Sequence, residues 1–222
     1  MRSINPRGPV LITDADTFYR SFDCIPEPVG DDVLGSSVRD YIGPAYLDQV
    51  DANILGHLCR IADIDEGYVR SRTAIIGAQY LMAHLFDEAF WTRIELKCIE
   101  MYQFLKTYPC RYHHVQEWTA SMWAILYELY RREKRGECCV FACNPLSFAW
   151  PTDAAHVWPM RNILHMAGVT ETMQPKGYFY KGAYTTKPPF DVDLSYVKPD
   201  NCSWVYAKAI QGYSKVRTIK EN

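Results

Sequence analysis

The apolar residues of the chain fall into a few short runs and three longer stripes. Val10, Leu11 and Ile12 form a run between Pro9 and Thr13 that leads straight into acidic residues, the pattern of a buried strand feeding a loop. Residues 24–44 carry Pro26, Pro28, Gly30, Gly35, Gly43 and Pro44 and are expected to form a long loop with little regular structure. Leu47, Val50, Ile54, Leu58 and Ile61 recur at spacings of three and four and predict an amphipathic helix over 45–63. Residues 73–81 read as a strand or a tight crossing beside one. A second helix is predicted over 87–106, with Phe90, Ile94, Cys98, Met101 and Leu105 on one face. A third is predicted over 117–135, with Trp118, Met122, Ile125, Leu126 and Leu129 inward, basic residues in its last turn, and Gly136 as its stop. Strands are expected at 138–142 and 146–150 around Asn144 and Pro145, and a short apolar run at 163–166 precedes Gly168. Residues 171–202 read as irregular with a strand at 178–181, and 204–211 as a terminal helix. The order gives the fold class α/β, in a single domain over 1–222.

Composition narrows the picture. Charged residues make up 23% and hydrophobic ones 48%, a globular balance, and the net charge of −2 comes without a basic block, which excludes the electrostatic footprint of a nucleic-acid binder. No apolar run is long enough for a membrane span, and no secretory leader pattern opens the sequence. The cysteines are therefore expected as free, buried thiols of a reducing, cytoplasmic compartment. Cys138, Cys139 and Cys143 lack the second pair a zinc site would need. His113 and His114 match no zinc spacing and read as a loop. Tyr and Trp are abundant, and such rings line clefts for partly polar ligands as well as cores.

The chemistry concentrates at Asp14-Ala15-Asp16. Residues two apart on a strand point the same way, and two carboxylates side by side repel unless a cation joins them. Hard divalent ions, Mn²⁺ or Mg²⁺, take such oxygens together with substrate phosphates, and strand ends in open α/β sheets are where ligands bind. A solvated acidic turn is the plainer alternative. Two enzyme families begin this way. For a haloacid-dehalogenase-type phosphatase, a Thr should stand four residues after Asp14, where Phe18 stands, and a downstream Gly-Asp loop should follow, yet the one Gly-Asp pair is Gly30-Asp31.

The other is the GT-A glycosyltransferases, and more of the chain resembles them. Leu11 to Phe18 looks like their metal motif. Gly77-Ala78-Gln79 resembles their acceptor-lining segment, Glu117-Trp118 their acidic helix start, and His165-Met166-Ala167-Gly168 their late His-x-x-Gly. The order agrees over residues 8–190, with a looser similarity to enzymes encoded by some large DNA viruses. The resemblance implies a mixed sheet flanked by helices. It also implies a nucleotide-sugar donor, UDP-sugar favoured, and a glycan or other hydroxyl acceptor. Asp14, Asp16 and His165 would hold Mn²⁺ or Mg²⁺, and Asp14 with Lys181 or Lys176 would meet the donor. Gly77, Ala78, Gln79 and Trp118 would face the acceptor, and Glu117 or Asp153 would be the general base. Trp150 and Trp158 are further candidates for stacking on a sugar. The family's motif follows a nucleotide-binding half of roughly 60 residues, whereas Asp14 stands near the start here. A missing amino-terminal segment or a partner chain is therefore expected. A truncated glycosyltransferase domain acting as a carbohydrate-binding or assembly module remains the non-enzyme alternative.

Overall fold

The computed structural model describes residues 8–84, 86–109 and 116–221. Cys110 and the His113-His114 pair lie outside the described residues. The chain is mixed α/β and divides into two compact units, one comprising residues up to Thr13 with Pro26–Asn144, the other Asp14–Ile25 with Pro145–Asn222.

The first unit is built on a four-stranded mixed sheet. β1 (Val10–Ile12), β3 (Val33–Ser37), β4 (Ile76–Met82) and β5 (Val140–Ala142) lie in the order β1-β4-β3-β5. β4 is antiparallel to both neighbours, and β3 is parallel to β5. β4 is buried along its whole length. β1 is a half-exposed edge strand rather than the buried one its apolar residues suggest. Helices α1 (Arg39–Ile42), α2 (Pro44–Val50), α3 (Ala52–Ala62), α4 (Glu66–Ser71), α5 (Glu88–Thr107) and α6 (Ala120–Lys134) complete the unit. α5 packs along α6, and α3 packs against both. The core sits between α6 and β4, where Trp123, Tyr127 and Tyr130 are fully buried. The indole N–H of Trp123 donates to Ile42 O at 2.9 Å and the Tyr130 hydroxyl to Ala74 O at 2.8 Å, so two large rings are buried without orphaning their polar ends.

Several expectations change here. The stretch 24–44 contains β3 and α1. Gly35 in β3 is not a breaker: a Cβ there would lie 2.6 Å from Ile76 Cβ, so the glycine lets two strands approach. The predicted helix over 45–63 is two helices, because Asp51 adopts an extended conformation and caps α3 by accepting from Asn53 N. α4 carries too few apolar positions to show periodicity. The segment 117–119 is a 3₁₀ turn before α6, so Trp118 falls outside the apolar face of that helix and is 53% exposed. The strand expected at 138–142 starts only at Val140, and Cys139, just before it, is exposed between buried Cys138 and Val140.

The second unit holds a three-stranded sheet of β2 (Thr17–Tyr19), β6 (Phe148–Ala149) and β7 (Ile163–His165), in the order β2-β7-β6. β7 is central, antiparallel to β2 and parallel to β6. Residues 171–202 are irregular as expected, but 178–181 is not a strand. Three 3₁₀ turns, Glu171–Lys176, Lys181–Tyr184 and Pro189–Asp191, carry the chain across this region. Phe179, Leu194 and Val197 anchor it in a core shared with Leu164, Met166 and Cys202. The terminal helix α7 runs Ser203–Glu221, longer than its apolar pattern suggests, and contributes Ala207 and Ile210 to that core. No helix among the described residues is long and apolar enough to cross a membrane.

Candidate metal centre

Asp14, Ala15 and Asp16 form a tight turn between β1 and β2, not a continuation of either strand. The Thr17 N–H and hydroxyl both donate to Asp14 O, at 3.3 and 2.8 Å, which closes the turn and fixes the two carboxylates relative to each other. The register of β2 on β7 sets Thr17 opposite His165, and Met166 N donates to Asp16 O at 2.9 Å. This pairing, distant in sequence, carries the turn to the histidine. β7 ends at His165, and three residues on stands Gly168, whose φ of +81° lies in the left-handed region, with open space where a Cβ would be. The glycine is needed there for its backbone conformation, not for room.

His165 is 3% exposed. Its Nε2 lies 3.2 Å from Asp14 Oδ2 and 3.3 Å from Asp16 Oδ1. One ligand atom from each of the three residues falls within 4.8 Å of the other two, so the cluster could hold a metal ion. The donor set fits one: two hard carboxylate oxygens and an imidazole nitrogen, with room in the coordination shell for ligands from substrate or water. Lys181, at the start of its 3₁₀ turn, donates to the other oxygen of Asp16, Oδ2, while its side chain stays half exposed. Lys176 lies exposed at the end of the preceding 3₁₀ turn, so Lys181 is the lysine that reaches the carboxylates.

The electrostatics follow from this packing. The hydrogen bond from His165 holds the Asp16 carboxyl far below the ordinary carboxylate range. Burial works against this, and Lys181 adds to the lowering. For His165, burial disfavours the imidazolium, but hydrogen bonds to Asp14 and Asp16 and their charges outweigh it, and its pKa is raised. Nδ1 of His165 is buried and meets no hydrogen-bond partner among the described residues.

The remaining sequence candidates are placed differently. Asp153 caps a tight turn: its Oδ2 accepts from Trp150 N at 2.8 Å and its own N–H donates to Trp150 O at 3.1 Å. Trp158 packs at 5.9 Å against Phe18. Trp150 packs on His165, a contact that nothing in the local sequence signals. Gly77, Ala78, Gln79, Glu117 and Trp118 belong to the first unit. Gly77, Ala78 and Gln79 are buried at a β-bulge in β4, where Ala78 has a φ of +63° and Gln79 Oε1 lies 2.7 Å from Ser36 Oγ. Glu117 and the exposed Trp118 line a groove of about 630 Å³ together with Tyr102, Gln103, Lys106 and Ser121.

Comparison of the chain with known protein families, with curated proteins and with solved structures found no match.

Proposed function

We propose that this chain carries the metal- and acceptor-binding part of a glycosyltransferase that moves a sugar from a nucleotide diphosphate donor to a hydroxyl acceptor. The convergence of Asp14, Asp16 and His165 on one point, with the Lys181 ammonium on the outer oxygen of Asp16, is the observation that carries the reading. Asp14 Oδ2, Asp16 Oδ1 and His165 Nε2 would hold the ion. The mixed oxygen and nitrogen set favours Mn²⁺ over Mg²⁺, since imidazole suits transition metals better than the alkaline earths. When bound, such an ion neutralises charge on the phosphates of a departing nucleoside diphosphate. Lys181, paired with the same carboxylate and half exposed, would add a positive charge toward an anionic group.

A second reading has its own support. The groove beside Trp118 combines exposed Trp118 and Tyr102 rings with amide, carboxylate and ammonium groups, the mixture that grips a saccharide without chemistry. A carbohydrate-binding module would use that groove alone.

Calorimetric titration with Mn²⁺, followed by UDP and UDP-sugars in its presence, tests the first reading. Wild-type protein is expected to bind Mn²⁺, and the nucleotide only once the metal is present, while Asp16→Asn is expected to bind neither. Unchanged metal affinity in Asp16→Asn overturns the site. Glycan binding without any response to Mn²⁺ and nucleotide supports the module instead. Mg²⁺-dependent hydrolysis of a simple phosphomonoester would point to a phosphatase.

A further inference from the structure

We infer that Trp150 is a positioning residue for the metal centre, holding the imidazole of His165 toward the two carboxylates by stacking. The inference rests on the metal reading of Asp14, Asp16 and His165. A histidine that binds a metal ordinarily donates its second ring N–H to a carboxylate or carbonyl, which fixes the tautomer and the ring plane. His165 lacks that device, since its buried Nδ1 meets no partner among the described residues.

Aromatic packing takes its place. The indole of Trp150 lies 5.6 Å from the imidazole, centroid to centroid, with the planes only 17° apart. Phe148 meets the same imidazole at 5.0 Å and 74°, edge to face. A ring covered on its face by one neighbour and met by the edge of another turns only by displacing one of them. The arrangement comes from the parallel pairing of β6 with β7, in which Phe148 stands opposite Ile163 and Ala149 opposite Leu164.

Trp150 is itself held. Asp153 and Trp150 exchange two hydrogen bonds across the turn that follows β6, and Asp153 O accepts from Cys202 N at 2.8 Å. The line of support therefore runs from Asp153 through Trp150 to His165 Nε2. Asp153 belongs to this support and acts through Trp150. Stacking also suits a metal-bound imidazole, because the π face of the indole attracts a ring made more positive by its metal.

The test is Mn²⁺ titration followed by electron paramagnetic resonance on wild type, Trp150→Phe and Trp150→Leu. Phe preserves a flat ring and is expected to keep the affinity within about threefold. Leu preserves apolar volume without a π face and is expected to weaken Mn²⁺ by about 10- to 100-fold, the range for supporting residues of metal sites. Equal affinity in Trp150→Leu overturns the proposal. Absence of Mn²⁺ binding in the wild type overturns instead the metal reading on which it rests. Should Trp150→Leu fail to fold, Asp153→Ala is the second variant. It is expected to weaken Mn²⁺ in the same direction, and undiminished affinity there counts against the proposal. Terbium luminescence excited through tryptophan reads whether Trp150 lies beside the bound ion. Trp150→Phe is expected to retain terbium affinity while its sensitised emission drops sharply, and unchanged emission overturns the placement of Trp150 over the site.

Discussion

Thr17 stands opposite His165 in the pairing of β2 with β7, and this register delivers the carboxylates of the preceding turn to the imidazole. Each strand is three residues long, so the pairing has little hydrogen bonding of its own to spare. Three residues beyond His165, the last residue of β7, the chain passes through the left-handed region at Gly168. Gly168→Ala forces a side chain into the left-handed region and is expected to cost about 1 kcal/mol of stability. Because β7 carries His165, the same variant is expected to weaken Mn²⁺ as well. Chemical denaturation and metal titration measure the two effects separately.

The centre also makes stability depend on pH in a defined direction. The pKa of His165 is raised in the folded chain, so its contribution is complete below the unfolded value of about 6.5 and is lost as pH rises through the folded value. The pKa of Asp16 is lowered, so its contribution is present above about 3.9 and is lost as pH falls through its folded value. Chelator-treated protein is therefore expected to melt at lower temperature as pH is raised above about 6.5. His165→Asn is expected to flatten that alkaline slope. A slope of the same size in His165→Asn would show that another group is responsible.

Part of this centre was legible in the sequence. Asp14 and Asp16 declare themselves by their spacing after an apolar run, and Gly168 by its place after another. The stack of Trp150 on His165 did not, because it depends on β6 lying parallel to β7, and two- and three-residue strands carry no periodicity that could reveal their partner. The strand β3 was hidden for a different reason. Gly35 reads as a loop residue, yet it is the close approach to Ile76 that demands it. Trp118 has the spacing of an inward position on an α-helix, but it sits in a 3₁₀ turn, where the angle per residue differs.

Gly35 supplies its own test. A methyl group there would meet Ile76 Cβ at 2.6 Å, with the backbone oxygen of Gln79 at 3.1 Å. Gly35→Ala is expected to destabilise the first unit by about 1–3 kcal/mol, the usual cost of overpacking. Urea unfolding followed by tryptophan fluorescence measures it. A neutral result would mean that β3 and β4 can separate without cost.

The cysteines should sort by burial. Cys24 and Cys139 are exposed, whereas burial pushes the Cys59 and Cys138 thiols up to about 12. The thiolate is the reactive form, so at pH 8 the first pair is expected to alkylate quickly and the second only on unfolding. Peptide mass mapping after a timed pulse of iodoacetamide reads each site. Rapid labelling of Cys138 in native protein would contradict the burial of the segment that leads into β5.

Glu133 ties three elements of the first unit together. Its carboxylate accepts from Arg72 at 2.6 Å, from Val140 N at 3.0 Å and from the Tyr68 hydroxyl at 3.2 Å, which joins α6 to β5, to α4 and to the residue that follows α4. The Glu133 side chain is only 11% exposed, so water replaces these bonds poorly. Removing the carboxylate leaves a partly buried guanidinium and a strand N–H without their acceptor, and an unsatisfied group of this kind costs roughly 1–3 kcal/mol. Glu133→Ala is therefore expected to lower stability by about 2 kcal/mol or more. Arg72→Ala should cost less, because Val140 and Tyr68 keep their acceptor. In a double-mutant cycle the pair is expected to be less than additive, since the second truncation removes a group already left unpaired. Strict additivity would mean that the contact between Glu133 and Arg72 contributes nothing in solution.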